Sequence, residues 1–393
     1  MIDRQLLAAV MILLTVSLVM SYSLSAYTVL HFHYPSFYFF MKQSLAVLIG
    51  FVAMVILSKM NPDRWFTLIG MSMFILFFVL MVAMQFMPSS FVDAVGGAKR
   101  WIRLGPASIA PVEFFKIGFI FFLAWSFARK LANKGKMGFI EEVRAFSPYL
   151  VVFFLAVVVI AIFQKDLGQV VVLGATLLIL FLLVGSSFRF FITLLLVTFV
   201  AFVGLILFAP HRMARVRSWW GTVQDSILSK LPFESIQSLR IEAGKEPYQI
   251  SNSLNAIHNG GLFGQGLGNG QFKLGYLSEV HTDFILAGIA EELGFVGVVF
   301  ITMTIIFIIF RIFKIASKVK DPMYYIFCIG IGLLIAFSFI LNSYGISGLT
   351  PIKGIAVPFL SYGGSHILAL CIAIGMVLMI SKKVPRNREG KIL

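Results

Sequence analysis

Between Tyr276 and Phe284 the chain reads Tyr-Leu-Ser-Glu-Val-His-Thr-Asp-Phe, which sets two carboxylates and an imidazole directly before the apolar run Ile285 to Ala290. An ionisable group at such a boundary is costly to hold and rarely idle. Glu279, His281 and Asp283 could do acid–base work, which needs a group able to take or give a proton within hydrogen-bond reach of a reacting atom. The plainer alternatives are an N-cap for Asp283 and an interfacial hydrogen-bonding role for His281. No second His is spaced to complete a zinc site with His281.

Three more segments carry chemistry. Lys99, Arg100 and Arg103 lie in a Gly-rich stretch, 96–106, that leads into Pro111-Val112-Glu113-Phe114-Phe115-Lys116. Glu113 and Lys116 stand three residues apart at a helix start, so they share a face and can form a self-neutralising pair. Gln164-Lys165-Asp166-Leu167-Gly168 is a tight turn in which Asp166 is either a site carboxylate or an ordinary N-cap. From Leu349 to Ser365, two prolines and the pair Gly363-Gly364 break helix geometry, so this stretch should be irregular backbone lining a cavity. Lys353 within it is a candidate counter-ion for a phosphate. The glycine-dense turn from Gly260 to Gly270 lacks both the Lys-Ser/Thr ending and the preceding strand of a nucleotide loop. Its glycines are expected to let irregular backbone pack against helices at membrane depth.

The elements that must position these groups are membrane spans. The chain is 59% hydrophobic and 12% charged over 393 residues, too little charge for the surface of a soluble domain. Apolar runs of about 20 residues, each enough to cross a hydrocarbon core as a helix, fall near 6–26, 38–58, 66–87, 111–129, 147–163, 169–186, 190–209, 283–310, 323–341 and 366–381. The expectation is an all-α integral membrane protein with ten transmembrane helices. Residues 1–393 form one polytopic membrane domain, 210–282 a long extracytoplasmic loop between helices seven and eight, and 382–393 a cytoplasmic tail. The first run lacks a basic leader and cleavage site, so it reads as a retained helix. Cys328 and Cys371 both fall in spans, which argues against a disulfide framework and a Cys metal site.

The net charge of +15 gains meaning once assigned to sides. With the N-terminus inside, more than half of the 32 Lys and Arg fall in inner segments, from Arg4 through Lys130 and Arg144 to Lys318 and Lys383, so both termini are expected to be cytoplasmic. This excess is topological and calls for no nucleic acid, since no basic face is joined to a soluble fold. The others, among them Lys99, Arg100, Arg103, Lys116, Lys165, Arg212, Arg215, Arg217, Lys273 and Lys353, lie outside or at outer helix ends. They read either as snorkelling side chains or as an outer anion site.

Taken in order over ten spans, these segments resemble the SEDS family (FtsW/RodA/SpoVE: shape, elongation, division and sporulation) along nearly the whole chain. Tyr276 to Phe284 and Pro351 to Ser365 look like family signatures, and Thr350-Pro351-Ile352-Lys353-Gly354 looks more like the division members (FtsW) than the elongation members (RodA). Ser278, Val280 and His366 depart from the usual Pro, Ala and Ser of the pattern.

The resemblance implies a peptidoglycan glycosyltransferase that polymerises lipid II on the outer face of the cytoplasmic membrane, at the septum for a division member. By similarity Asp283 matches the essential, catalytic acidic residue. Glu113, Lys116, Asp166, Glu279 and Lys353 match polar positions of a central cavity, to which His281 and Arg100 are added as substrate-binding candidates. Implied partners are the undecaprenyl-pyrophosphate substrate, a class B penicillin-binding protein transpeptidase, septal division proteins and membrane lipids. The donor is α-linked and the product β-1,4-linked, so one in-line displacement with inversion suffices, and Asp283 could be its general base. An Asp with a free pKa near 3.9 is a weak base; desolvation and Glu279 would both raise it. A divalent cation (Mg or Mn) held by Asp283 is the alternative role. A lipid II flippase, an elongation-type polymerase and a non-catalytic scaffold are the competing functions. Acidic and surplus basic residues collected on one side favour catalysis there over a path through both leaflets.

Overall fold

The computed structural model describes residues 2–92, 94–95, 97–105, 107–130, 137–228, 248–278, 280–351 and 354–384. The chain begins with α1 (Arg4–Leu24), a short α2 (Ala26–His31), α3 (Tyr38–Lys59) and α4 (Pro62–Ala83). Two small antiparallel hairpins follow, β1 (Ala94–Val95) with β2 (Ala98–Lys99) and β3 (Ile102–Leu104) with β4 (Ala107–Ile109). Then come α5 (Pro111–Lys130), α6 (Phe139–Val157) running into a π-helical segment (Val158–Phe163), α7 (Leu167–Leu183) and α8 (Phe188–Leu207). The remainder is α9 (Pro210–Leu228), α10 (Tyr248–Gly260), α11 (Ile285–Ala316), α12 (Pro322–Ile346) and α13 (Gly364–Ile380). Among the described residues nine helices are long and apolar enough to cross a hydrocarbon core, and α7 is a shorter apolar helix in the place of the expected sixth span. The strands were not foreseen from composition, because each is only two or three residues long.

Short polar residues start the spans. Asp3 accepts from Leu6 N at 3.0 Å, Asn61 from Asp63 N, Ser187 from Phe190 N and Asp321 from Met323 N, each satisfying an amide that the helix itself cannot. At the end of the bundle where the chain starts, Arg311 Nη2 lies 2.5 Å from Asp3 Oδ2 and Ser381 Oγ accepts from Asp3 N at 3.2 Å. The head of α1 and the ends of α11 and α13 are thereby tied together. The most enclosed helices are α5 and α13, packed against α4 and α3 respectively. On α8, Leu196, Val197, Phe199 and Val200 are exposed, as expected for side chains whose solvent is lipid.

One span departs from expectation. The run 283–310 reads as a continuous helix, but α11 breaks at Gly294, where φ is 68° and ψ −171°. The glycine-dense turn fills the break: Gln265 N donates to Glu291 O at 2.9 Å and Gly266 N to Glu292 O at 3.0 Å, while Phe295 N and Val296 N donate to Gly261 O and Leu262 O. A Cβ on Gly264 would sit 2.3 Å from Glu292 O, and one on Gly294 2.3 Å from Gly264 N. Only bare backbones approach that closely, and the two irregular segments satisfy each other's amides as apolar surroundings demand. In the long loop, Trp219 and Trp220 lie on α9, where Trp219 Nε1 donates to Gly348 O at 2.7 Å. The rest of that loop's expected amphipathic half, 229–247, and all but the first residues of the expected tail lie outside the described residues.

Candidate functional site

Because α5 begins at Pro111, Glu113 and Lys116 share a face in and just after its first turn. Lys116 Nζ is 3.0 Å from Glu113 Oε2 and donates to Gln169 Oε1 at 2.7 Å. Gln169 Nε2 donates to Glu113 Oε1 at 3.2 Å, and His366 Nδ1 lies 2.8 Å from Glu113 Oε2. All four side chains are buried. One carboxylate thus joins α5, α7 and α13, and the expected Glu113–Lys116 pair is present with Gln169 and His366 as partners that spacing alone did not announce.

Asp166 does act as the N-cap of α7, accepting from Gln169 N at 3.3 Å. It sits in the turn outside the spans, where burial raises its carboxyl above the ordinary range against the opposing charge of Arg100. Arg100 holds that turn, donating from Nε to Gln164 O at 2.8 Å and from Nη2 to Lys165 O at 3.0 Å. Lys165, at the centre of the turn, has φ 52°. Arg100 and Asp166 therefore do stand beside the Glu113 cluster.

Asp283 stands on the next element. Its capping alternative fails, since α11 starts at Ile285 with Phe284 in the N-cap position. Asn342 of α12 and the loop between α12 and α13 clasp the backbone around it. Asn342 Nδ2 donates to Asp283 O at 2.7 Å and to Ile355 O at 2.6 Å. Ser361 Oγ donates to Thr282 O and accepts from Val357 N, both at 2.7 Å, and Tyr362 N donates to His281 O at 2.9 Å. His281 is buried, with Phe39 and Tyr362 ring centroids at 4.9 and 5.5 Å. The same loop ends at the head of α13, so it touches both Asp283 and the residue next to His366. Glu279 and Lys353 lie outside the described residues.

Several cations expected to line an outer anion site are otherwise engaged. Lys99 donates to the carbonyls of Gln85 and Met87, and Arg212 to those of Leu205 and Ala161. Lys273 is buried 2.6 Å from Glu292 Oε1. The carboxylates Glu291 and Glu292 were overlooked inside an apolar run, although two adjacent acids there were signal enough. Glu291 accepts from Asn259 Nδ2, Gln271 N and Phe272 N, and Glu292 from Ser23 Oγ, so both bind the glycine turn to the broken helix. Among the described residues no three His, Cys, Asp or Glu come together as metal ligands.

The family model described as "Cell cycle protein" (FtsW/RodA/SpoVE) matches residues 4–386. The chain is 48% identical over 386 residues to the "Probable peptidoglycan glycosyltransferase FtsW" of Helicobacter pylori, covering 97% of this chain and 98% of that relative. It is 34% identical over 384 residues to "Stage V sporulation protein E" of Bacillus subtilis, covering 97% of each. Its fold is that of the Thermus thermophilus rod shape determining protein RodA, with a TM-score of 0.67 at 20% identity over 98% of both chains. A second solved structure, described as "Structural coordination of polymerization and crosslinking by a peptidoglycan synthase complex", gives 0.69 at 20% identity, covering 97% of this chain and 98% of that one.

Proposed function

The chain belongs to the FtsW/RodA/SpoVE family of cell cycle proteins, and from that premise we infer that it is a peptidoglycan glycosyltransferase whose reaction is carried at Asp283. It is a multi-pass membrane enzyme that joins lipid II units into β-1,4 glycan with inversion at the anomeric carbon and release of undecaprenyl diphosphate. The end of the bundle bearing Asp283 and Glu113 faces outward, both termini lie in the cytoplasm, and the enzyme works at the septum beside a class B penicillin-binding protein and other division proteins. The positive-inside pattern supports that orientation. The fold shared with a synthase complex of polymerisation and crosslinking supports the transpeptidase partner.

The observation that carries the catalytic assignment is that Asp283 is partly exposed and released from capping, while its own backbone carbonyl is fixed by Asn342 at 2.7 Å. A general base must be held in place and within reach of the group it deprotonates. As the acceptor hydroxyl attacks the anomeric carbon, Asp283 takes its proton, and the C–O bond to the pyrophosphate breaks on the opposite face. Lys353, adjacent in sequence to Gly354, supplies positive charge to the leaving pyrophosphate. Lys116 is closed into the Glu113 cluster and acts there as a brace.

Asp283→Asn tests this in the purified enzyme with its transpeptidase partner. Polymerisation should fall by about 10²-fold or more, the range of a general base, with the thermal midpoint and partner binding retained. Near-normal polymerisation by that variant would sink the assignment.

A further inference from the structure

Within the Glu113 cluster one polar atom is buried with no hydrogen-bond partner among the described residues, Nε2 of His366. The residue is 8% exposed, and its other ring nitrogen lies 2.8 Å from Glu113 Oε2. An ionised carboxylate only accepts, so Nδ1 carries a proton, and Nε2 of the neutral ring is then an acceptor. Glu113 is already balanced by Lys116 at 3.0 Å, so a second positive charge on the ring would be uncompensated in a buried place. A buried acceptor without a donor is rare and signals a water or ligand that fills the role.

We propose that His366 is a substrate-binding residue whose Nε2 accepts a hydrogen bond from a sugar hydroxyl of lipid II, with Glu113 fixing the ring's tautomer and orientation. The proposal rests on the polymerase reading above. The chemistry selects the glycan over the pyrophosphate, because a phosphate oxygen offers a neutral Nε2 no proton. Position agrees: His366 lies in the first turn of α13, directly after the irregular loop whose Ser361 and Tyr362 hold Thr282 and His281. The loop that leads into α13 thus also holds the backbone beside Asp283.

The test is the binding of fluorescent lipid II to the purified full-length protein in nanodiscs. His366→Asn keeps an amide N–H for Glu113 and removes the acceptor; His366→Gln sets an amide oxygen near the Nε2 position. The Asn variant should bind about tenfold more weakly at an unchanged thermal midpoint, the scale of one lost hydrogen bond to a buried group. The Gln variant should stay within about threefold of the wild type. An Asn variant with wild-type Kd would mean that the ring only braces Glu113 or holds a water, and would overturn the proposal. A Gln variant as weak as Asn would overturn it too, and the Gln comparison decides alone if the Asn variant does not fold. Wild-type protein that binds lipid II but does not polymerise it even with its transpeptidase partner sinks the enzymatic reading alone, while the Kd comparison still decides the role of His366.

Discussion

Gly354 lies against Asp283: a Cβ built at position 354 would come 3.1 Å from Asp283 Oδ2, and Gly354 itself has φ 57°. Both facts oppose any larger residue. A non-glycine residue in the left-handed region costs about 1–2 kcal/mol, and the added methyl would press on the carboxylate assigned to catalysis. Gly354→Ala should therefore lower kcat for polymerisation by about tenfold, since small misplacements of a reacting group cost up to about a hundredfold, with the protein still folded. Steady-state polymerisation beside a thermal melt checks this. Unchanged kcat would mean that the position of Asp283 Oδ2 does not matter to the reaction.

Asp166 predicts a dependence on pH with a definite sign. Burial raises its carboxyl above the ordinary carboxylate range, so the folded chain binds that proton more tightly than the unfolded chain does. The contribution to stability is fully present below the unfolded value and is lost as pH rises through the folded one. Asp166→Asn retains a capping oxygen for Gln169 N and cannot titrate. Its thermal midpoint should match the wild type near pH 4 and exceed it at pH 7. An equal offset at both pH values would remove burial as the cause.

How far the site was legible depended on distance along the chain. Glu113 with Lys116, and Asp166 with Gln169, interact across three residues, so helix periodicity and capping rules reach them. His366 meets Glu113 across 253 residues, and Lys273 meets Glu292 through a turn and a helix break; local pattern has no access to either. The same limit explains the cations. Spacing placed Lys99, Arg212 and Lys273 on the outer side, but carbonyls released at turns, at helix ends and by the π-helical segment engage two of them, and the third neutralises Glu292. Among the described residues nine of the expected spans, and the shorter α7 in the place of the sixth, were legible from apolar length alone, which needs no tertiary knowledge. The break at Gly294 was not, because Gly294 looks harmless until Gly264 arrives against it.

The Lys273–Glu292 pair should behave as a buried ion pair whose halves depend on each other. Lys273 is 4% exposed and Glu292 1%, with Ser23 Oγ 2.7 Å from the carboxylate. Lys273→Met leaves that charge buried without its cation, a loss of about 3–5 kcal/mol. Adding Glu292→Gln removes the stranded charge, so the double variant should recover much of the lost stability. Thermal midpoints of the two single variants and the double variant give the coupling. Additive losses would show that the two side chains stabilise the α11 break independently.

Arg212 has a structural task that can be separated from catalysis. Its guanidinium donates to Leu205 O at 2.7 Å and to Ala161 O at 2.5 Å, so one side chain serves the last turn of α8 and the π-helical segment. Carbonyls at helix ends and in a π segment lie outside the regular ladder and need an outside donor. Arg212→Ala strands both, at about 1–3 kcal/mol for the carbonyl of buried Ala161 and less for that of the partly exposed Leu205, and should lower the thermal midpoint by several degrees. Arg212→Lys can serve one carbonyl at a time and should fall between. Lipid II turnover per folded molecule should not change in either variant, because neither carbonyl touches Asp283 or the Glu113 cluster. Loss of turnover at an unchanged midpoint would instead make Arg212 part of the reacting site.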